Sequence, residues 1–194
     1  MNSLLIGDGY WGGIIKPKLK QYTNLIYTAN SKSNLREILR SPNIETVFVC
    51  TPTHTHYEIV KLCLEENKKV FCEKPFTGDY NLAKKLYSIS NDIFIDNLFL
   101  LRREYIDLRS NKFTDISFIW NIKDKNLKEN LHNSLLYHDL YMLIEMTNEQ
   151  WEVTSSKVTS RRLSLELKNG SKTAHFKYDR DTTPKEKKII IDGS

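Results

Sequence analysis

Three short clusters in this chain carry side chains able to bind, orient or move a proton. The first is Glu73-Lys74-Pro75, directly after the apolar run Lys69-Val70-Phe71-Cys72. A lysine between a glutamate and a proline, at the end of a buried strand, can be held rigidly. Lys74 could then bond a substrate hydroxyl or lose its proton and act as a base; the alternative is a surface lysine in a turn. A Lys-Pro peptide can also be cis, which would fix the direction of the lysine. The second cluster is Cys50-Thr51-Pro52-Thr53, closing the run Val47-Phe48-Val49, with His54 and His56 just beyond. Cys50, His54 and His56 read as metal ligands match no strong zinc spacing and lack a fourth donor, so no metal is expected. His56 is placed at a helix start beside a ligand crevice. The third cluster is His138-Asp139 within a helical stretch. Histidine suits proton transfer near neutral pH, and spacing alone equally describes a packed ring with satisfied nitrogens. No serine or cysteine nucleophile arrangement is evident.

A fourth feature is a loop for phosphates. Gly7-Asp8-Gly9-Tyr10-Trp11-Gly12 follows the apolar run Ser3-Leu4-Leu5-Ile6 and has the form G-x-G-x-x-G. Gly7 permits a tight turn, Gly9 lets backbone approach a pyrophosphate, and Gly12 lets the next helix pack against the strand. Amides of that helix's first turn would hold the phosphates. An acid is expected about 20 residues further on to bind the adenosine ribose. This chain has Asn30, Ser31 and Lys32 there, with Arg36 beyond. A neutral amide beside cations leans towards a 2′-phosphate, hence NADP over NAD; the alternative is that Lys32 and Arg36 are ordinary surface residues.

The elements that must position these clusters alternate strand and helix. Glu45 to Thr77 reads as strand, turn, helix, strand and loop, with Ile59, Val60, Cys63 and Leu64 at helical spacing between the two strands. Such a βαβ crossover makes the strands parallel and places Thr51-Pro52 and Glu73-Lys74-Pro75 at their carboxyl ends, where parallel sheets form sites. Further strands are expected at residues 24–29 and 93–95, a short helix around Leu35 to Leu39, and another from about Asp79 to Ser90. A helix starting near Gly12 would carry Pro17 just past its first turn, predicting a distorted start or a kink. A domain boundary is placed at residue 97. Residues 98–194 differ: an alternating strand from Phe113 to Ile122, a helix from Leu127 to Met146, then four strand patterns with an Asn169-Gly170 hairpin turn. The expected architecture is α/β, a doubly wound parallel sheet followed by a small α+β domain with a mostly antiparallel open sheet.

The bulk numbers are those of an ordinary globular chain: 194 residues, 40% hydrophobic and 27% charged. No apolar run approaches the ~20 residues of a membrane span. Met1 leads straight into a strand with no signal-peptide pattern, and three cysteines lie in or beside apolar segments, so a cytoplasmic protein is expected. The net charge of +5 is spread along helix faces and interleaved with acids. That distribution argues against a nucleic-acid surface and favours at most a small anionic ligand.

Taken together these residues resemble the glucose–fructose oxidoreductase / inositol dehydrogenase / MocA (Gfo/Idh/MocA) family. Gly7 to Gly12, with Tyr10-Trp11, resembles its G-x-G-Y-W-G version, frequent among sugar-nucleotide oxidoreductases. Thr51-Pro52 with His56 matches its T-P-x-x-x-H, and Glu73-Lys74-Pro75 its E-K-P signature. His138-Asp139 falls where members carry a substrate-side histidine. The resemblance implies a Rossmann domain and a C-terminal open-sheet domain with substrate between them, NAD or NADP as cofactor, and a sugar or sugar-nucleotide substrate. It implies Lys74 as main acid/base with His138 as its partner, and homo-oligomers formed through the second sheet. The cofactor would be bound by Gly7, Gly9, Tyr10, Trp11, Gly12, Asn30 to Lys32, Cys50 to Thr53, His56 and Glu73 to Pro75. The chain departs from the family in three places. Only Ser31 to Asn43 separates the second strand from the third, Ser134 stands where an aspartate often precedes the histidine by one helical turn, and full-length members are much longer than 194 residues. These departures motivate an alternative: a catalytically impaired relative that binds a nucleotide or a protein.

Overall fold

The computed structural model describes residues 1–108, 112–123, 131 and 135–193. They fall into two compact units, Met1–Asp96 and Asn97–Ser194.

Unit 1 alternates β1 (Asn2–Ile6), α1 (Tyr10–Tyr22), β2 (Asn24–Ala29), α2 (Leu35–Leu39), β3 (Thr46–Val49), α3 (His56–Glu65), β4 (Lys69–Cys72), α4 (Tyr80–Ile89) and β5 (Ile93–Ile95). The strands form one sheet in the order β2-β1-β3-β4-β5, and every pairing is parallel. Strand order reverses between β1 and β3, and in such sheets the ligand crevice opens at that switch point. Strand alternation sends Leu4, Ile6, Val47, Val49, Val70, Cys72 and Ile93 into one core with Leu39, Val60, Cys63, Leu64 and Leu86 from α2, α3 and α4. On the other face Phe48, Phe71 and Phe94 stack in a row, with ring centroids 5.0 and 4.8 Å apart.

Local chemistry accounts for the helix ends. Asn34 caps α2 by accepting from Glu37 N, and Asp79 caps α4 by accepting from Asn81 N (2.7 Å) and Leu82 N (3.1 Å). Helix α1 begins at Tyr10 with Gly9 as its N-cap, earlier than the Gly12 start expected from sequence. Pro17 consequently lies deep in the helix, which runs on through it to Tyr22. Pro17 and Gly13, whose carbonyl loses its helical partner, are both exposed, so water can take the place of the missing N–H.

Unit 2 holds a 3-10 turn (Leu98–Leu101), α5 (Arg103–Leu108), β6 (Asp115–Asn121), α6 (Tyr137–Thr147), β7 (Glu152–Val158), β8 (Arg162–Asn169), β9 (Lys172–Asp179) and β10 (Glu186–Ile191). Its sheet runs β10-β6-β9-β8-β7. Three pairings are antiparallel, and β6 with β9 is parallel, giving a mixed, mostly antiparallel sheet. Gly170, at φ +54°, makes the β8–β9 turn. One sheet face packs Ile116, Phe118, Leu163, Leu165, Leu167, Ala174 and Phe176 with Met142 and Leu143 of α6. The expected start of this helix at Leu127, and Ser134, lie outside the described residues.

Candidate active site

The glycine loop is built so that two of its glycines cannot be replaced. Gly7 has φ +100°, and a Cβ there would lie 2.6 Å from Cys50 O; a Cβ on Gly12 would lie 2.0 Å from Gly7 O. The loop, the start of α1 and the end of β3 are therefore pressed together, backbone on backbone. Gly9 has nothing within 4 Å of its Cβ position, leaving open space beside the amides that begin α1. Its N-cap offers no side-chain acceptor, and the first turn contains no acid. Unanswered amides at a helix N-terminus, with space before them and no acid in the first turn, fit a diphosphate. Tyr10 and Trp11 are both exposed, their rings 5.3 Å apart edge to face.

At the end of β2, Asn30 closes its own turn. Its Oδ1 accepts from Lys32 N (3.0 Å), and its backbone N–H donates to Ser33 Oγ (3.0 Å). Ser31, Lys32 and Arg36 are exposed, so no acid stands in this turn and two cations flank it.

The ends of β3 and β4 are tied together by His56. Its ring is 1% exposed, with Nδ1 3.0 Å from Pro75 O and Nε2 2.8 Å from Thr51 O. A carbonyl oxygen only accepts, so a neutral ring donates to one of the two and a ring protonated on both nitrogens donates to both. Thr55, in the 3-10 turn Thr53–Thr55 that precedes α3, donates to Pro52 O (2.7 Å) and lies 2.8 Å from Thr51 Oγ1. The loop after β3 is thus held from both ends, by the α3 histidine and by its own threonine. The Lys74–Pro75 peptide is cis. Pro75 is buried, while Glu73 and Lys74 are half-buried.

Electrostatics distinguish the residues gathered here. Burial, then the neighbouring Glu73 and Asp96, push the Cys50 thiol up to about 12. It is a neutral thiol at physiological pH. Glu73 is raised to about 7, first by burial and then by Asp96, while Lys74 pulls it back down. His54 is exposed, and among the described residues no group of three or more His, Cys, Asp and Glu side chains is arranged to hold a metal.

In unit 2, His138 is half-buried near the start of α6, its ring 5.9 Å from that of Tyr137. Its neighbour Asp139 is fully buried. Trp120 Nε1 donates to Asp139 Oδ2 (2.6 Å), as does the Tyr178 hydroxyl (3.0 Å), and Lys187 Nζ pairs with Oδ1 at 3.0 Å. The Lys187 ammonium also sits 4.1 Å from the Trp120 ring centroid. Burial raises the Asp139 carboxyl, against the pull of Lys187, Tyr178 and Trp120. Sequence patterns marked neither this cluster nor the pairing of Asp96 with Glu73. The available signal was register: equal strand ends on β4 and β5 put the two acids side by side.

A parallel sheet with a glycine cradle at its first crossover and open helix amides defines unit 1 as a Rossmann-type dinucleotide-binding fold. Residues 13–92 match the model of the Gfo/Idh/MocA oxidoreductases with an NAD-binding Rossmann fold. An uncharacterized oxidoreductase of Schizosaccharomyces pombe is 48% identical over 66 residues, 34% of this chain and 17% of that protein. Myo-inositol 2-dehydrogenase of Thermotoga maritima is 35% identical over 66 residues, 34% of this chain and 19% of that one. The matched stretch thus spans less than a fifth of these curated relatives. UDP-N-acetylglucosamine 3-dehydrogenase GnnA from Acidithiobacillus ferrooxidans shares the fold with a TM-score of 0.86, over 98% of this chain and 73% of that one, at 17% identity.

Proposed function

We propose that this chain serves an NAD(P)-dependent oxidoreductase acting on a hydroxyl or keto carbon of a sugar, with nucleotide-linked sugars the first substrates to test. The observation that carries this reading is Lys74, held at the carboxyl end of β4 by a loop that His56 and Pro75 anchor, in the same sheet as the Gly7–Gly12 cradle. A bound nicotinamide would supply the hydride acceptor or donor. Lys74 takes the hydroxyl proton as the carbinol carbon is oxidised, or returns it as the ketone is reduced. His56 is a positioning residue, since both ring nitrogens are committed to backbone carbonyls. Gly7, Gly9 and Gly12 admit the diphosphate, Thr51 and Pro52 line the nicotinamide side, and His138 of unit 2 is the second proton-handling candidate. The acid-free turn at Asn30 with Lys32 and Arg36 favours NADP. The UDP-N-acetylglucosamine activity in the name of the GnnA relative supports the nucleotide-linked choice. Association of copies through the outer face of the second sheet belongs to the same proposal. That face carries the Asp115–His175 contact (3.1 Å), so such an assembly is polar and weakens with salt.

The test is to titrate the protein with NADH and NADPH by nicotinamide fluorescence and then assay UDP-sugars and free sugars with the cofactor that binds. The expected result is binding of NADPH at least as tight as NADH, and turnover that Lys74→Ala abolishes with little loss of cofactor affinity. Undiminished turnover in that variant would remove Lys74 from the role given it.

A further inference from the structure

Asp96 ends β5 as Glu73 ends β4, and the two strands pair in parallel with Cys72 opposite Ile95. The next residues on each strand are therefore neighbours. Both backbones are pinned there: Glu73 N donates to Val49 O and Asp96 N donates to Cys72 O, each at 2.9 Å. This register sets the two carboxyls against each other, and after burial Asp96 is the largest cause raising the Glu73 carboxyl. Two like charges side by side disfavour ionising both, so one of the carboxyls keeps its proton to higher pH. The other titratable groups facing the pair are Lys74, next along the chain, Cys50 at the end of β3, and Cys72 within β4. Burial keeps both thiols neutral. What remains is two acids, one proton and one lysine at the carboxyl end of the sheet.

We infer that Glu73 and Asp96 form a one-proton dyad whose charge follows the redox form of the cofactor: the pair gives up its shared proton to solvent when a positively charged nicotinamide is bound and keeps it when the ring is neutral. The inference rests on the oxidoreductase reading of this same site. Its physical basis is that a nearby cation favours the ionised form of a carboxyl. With Glu73 near 7, the dyad is about half protonated at neutral pH, where a modest change in field moves the largest fraction of a proton. The arrangement makes oxidised-cofactor affinity rise with pH, and reduced-cofactor affinity nearly independent of it.

Two measurements decide the matter. Carbon-13 NMR of the apo protein with labelled Glu and Asp carboxyls should show one carboxyl titrating near neutrality. In Asp96→Asn that titration should move part of the way down towards an ordinary carboxyl value of about 4, burial holding the rest of the shift, and Glu73→Gln should remove it as a second, independent variant. Absence of any carboxyl titration above about 5 in the wild type overturns the dyad. Calorimetric binding of NADP+, NADPH, NAD+ and NADH in buffers of different ionisation enthalpy should then show proton release, up to about half a proton at pH 7, with the oxidised forms alone. Equal release with both forms overturns the coupling. Failure of all four to bind overturns the oxidoreductase reading instead, while the apo titration still decides whether the dyad exists.

Discussion

Each unit places a lysine beside buried carboxyl chemistry, and the two clusters are organised in opposite ways. In unit 2, Asp139 is fully buried and met by donors: Trp120 and Tyr178 on one oxygen, Lys187 on the other. In unit 1, Glu73 is half-buried and faces a second acid, so it rises to about 7. A carboxylate surrounded by donors fixes the side chains around it. One opposed by a like charge is left free to titrate. The contrast separates a cluster that orders a fold from one that responds to pH and to bound charge.

The largest effect expected is on ligand binding at the unit 1 loop. Gly12→Ala would drive a Cβ to 2.0 Å from Gly7 O, whereas Gly13→Ala meets nothing within 4 Å. Cofactor affinity should fall by about 100-fold or more in the first variant, the order of 3 kcal/mol, and stay within about threefold in the second, as read by fluorescence titration. Similar affinities in the two variants would show that the loop does not carry the phosphates.

Next comes the donor-rich cluster. Lys187→Met leaves the Asp139 charge buried with only neutral donors and should destabilise unit 2 by about 3 kcal/mol in urea unfolding, because breaking a buried pair strands its partner. Replacing both residues, Asp139→Leu with Lys187→Met, should recover most of that loss. If the single variant is neutral, the ordering role given to this cluster fails. In unit 1, His56→Ala strips the partners from Thr51 O and Pro75 O and opens a cavity, at a cost of about 2–4 kcal/mol. The same variant should also impair turnover, because the loop carrying Lys74 loses its tie.

The smallest effect, and the one most specific to the contrast, is in pH dependence. A carboxyl that titrates near 7 in the native state and near an ordinary ~4.3 when unfolded binds more protons folded than unfolded in between. Its contribution to stability is therefore fully present below about 4 and is lost as pH rises through about 7. Stability of unit 1 should decline across that window in the wild type, and the decline should flatten in Asp96→Asn. An unchanged slope would mean that the two acids do not interact.

Much of unit 1 could be read from the residue order because its signals are local. Val47 to Val49, Val70 to Cys72 and Ile93 to Ile95 are apolar runs bounded by turn residues, and Asn34 and Asp79 cap the helices that follow them. Helix α1 begins at Tyr10, ahead of the expected start near Gly12, because bare helix amides after Gly9 come with no side-chain cap in the sequence. The hidden parts are those that depend on which strands become neighbours. Glu73 meets Asp96 only through the β4–β5 register. Lys187 reaches Asp139 because β10 pairs with β6 and sets Lys187 opposite Trp120, a contact no spacing along the chain announces. The same holds for the parallel β6–β9 pairing within an otherwise antiparallel sheet. The alternation of each strand was legible, but its partner was not.

The most direct test of the central claim is titration of the purified protein with NADPH and NADH by nicotinamide fluorescence, in the wild type and in Lys74→Ala. Saturable binding of at least one cofactor, kept within a few-fold in Lys74→Ala while turnover of the responding sugar disappears, is the predicted result. No saturable binding of either cofactor at millimolar concentration would contradict the account.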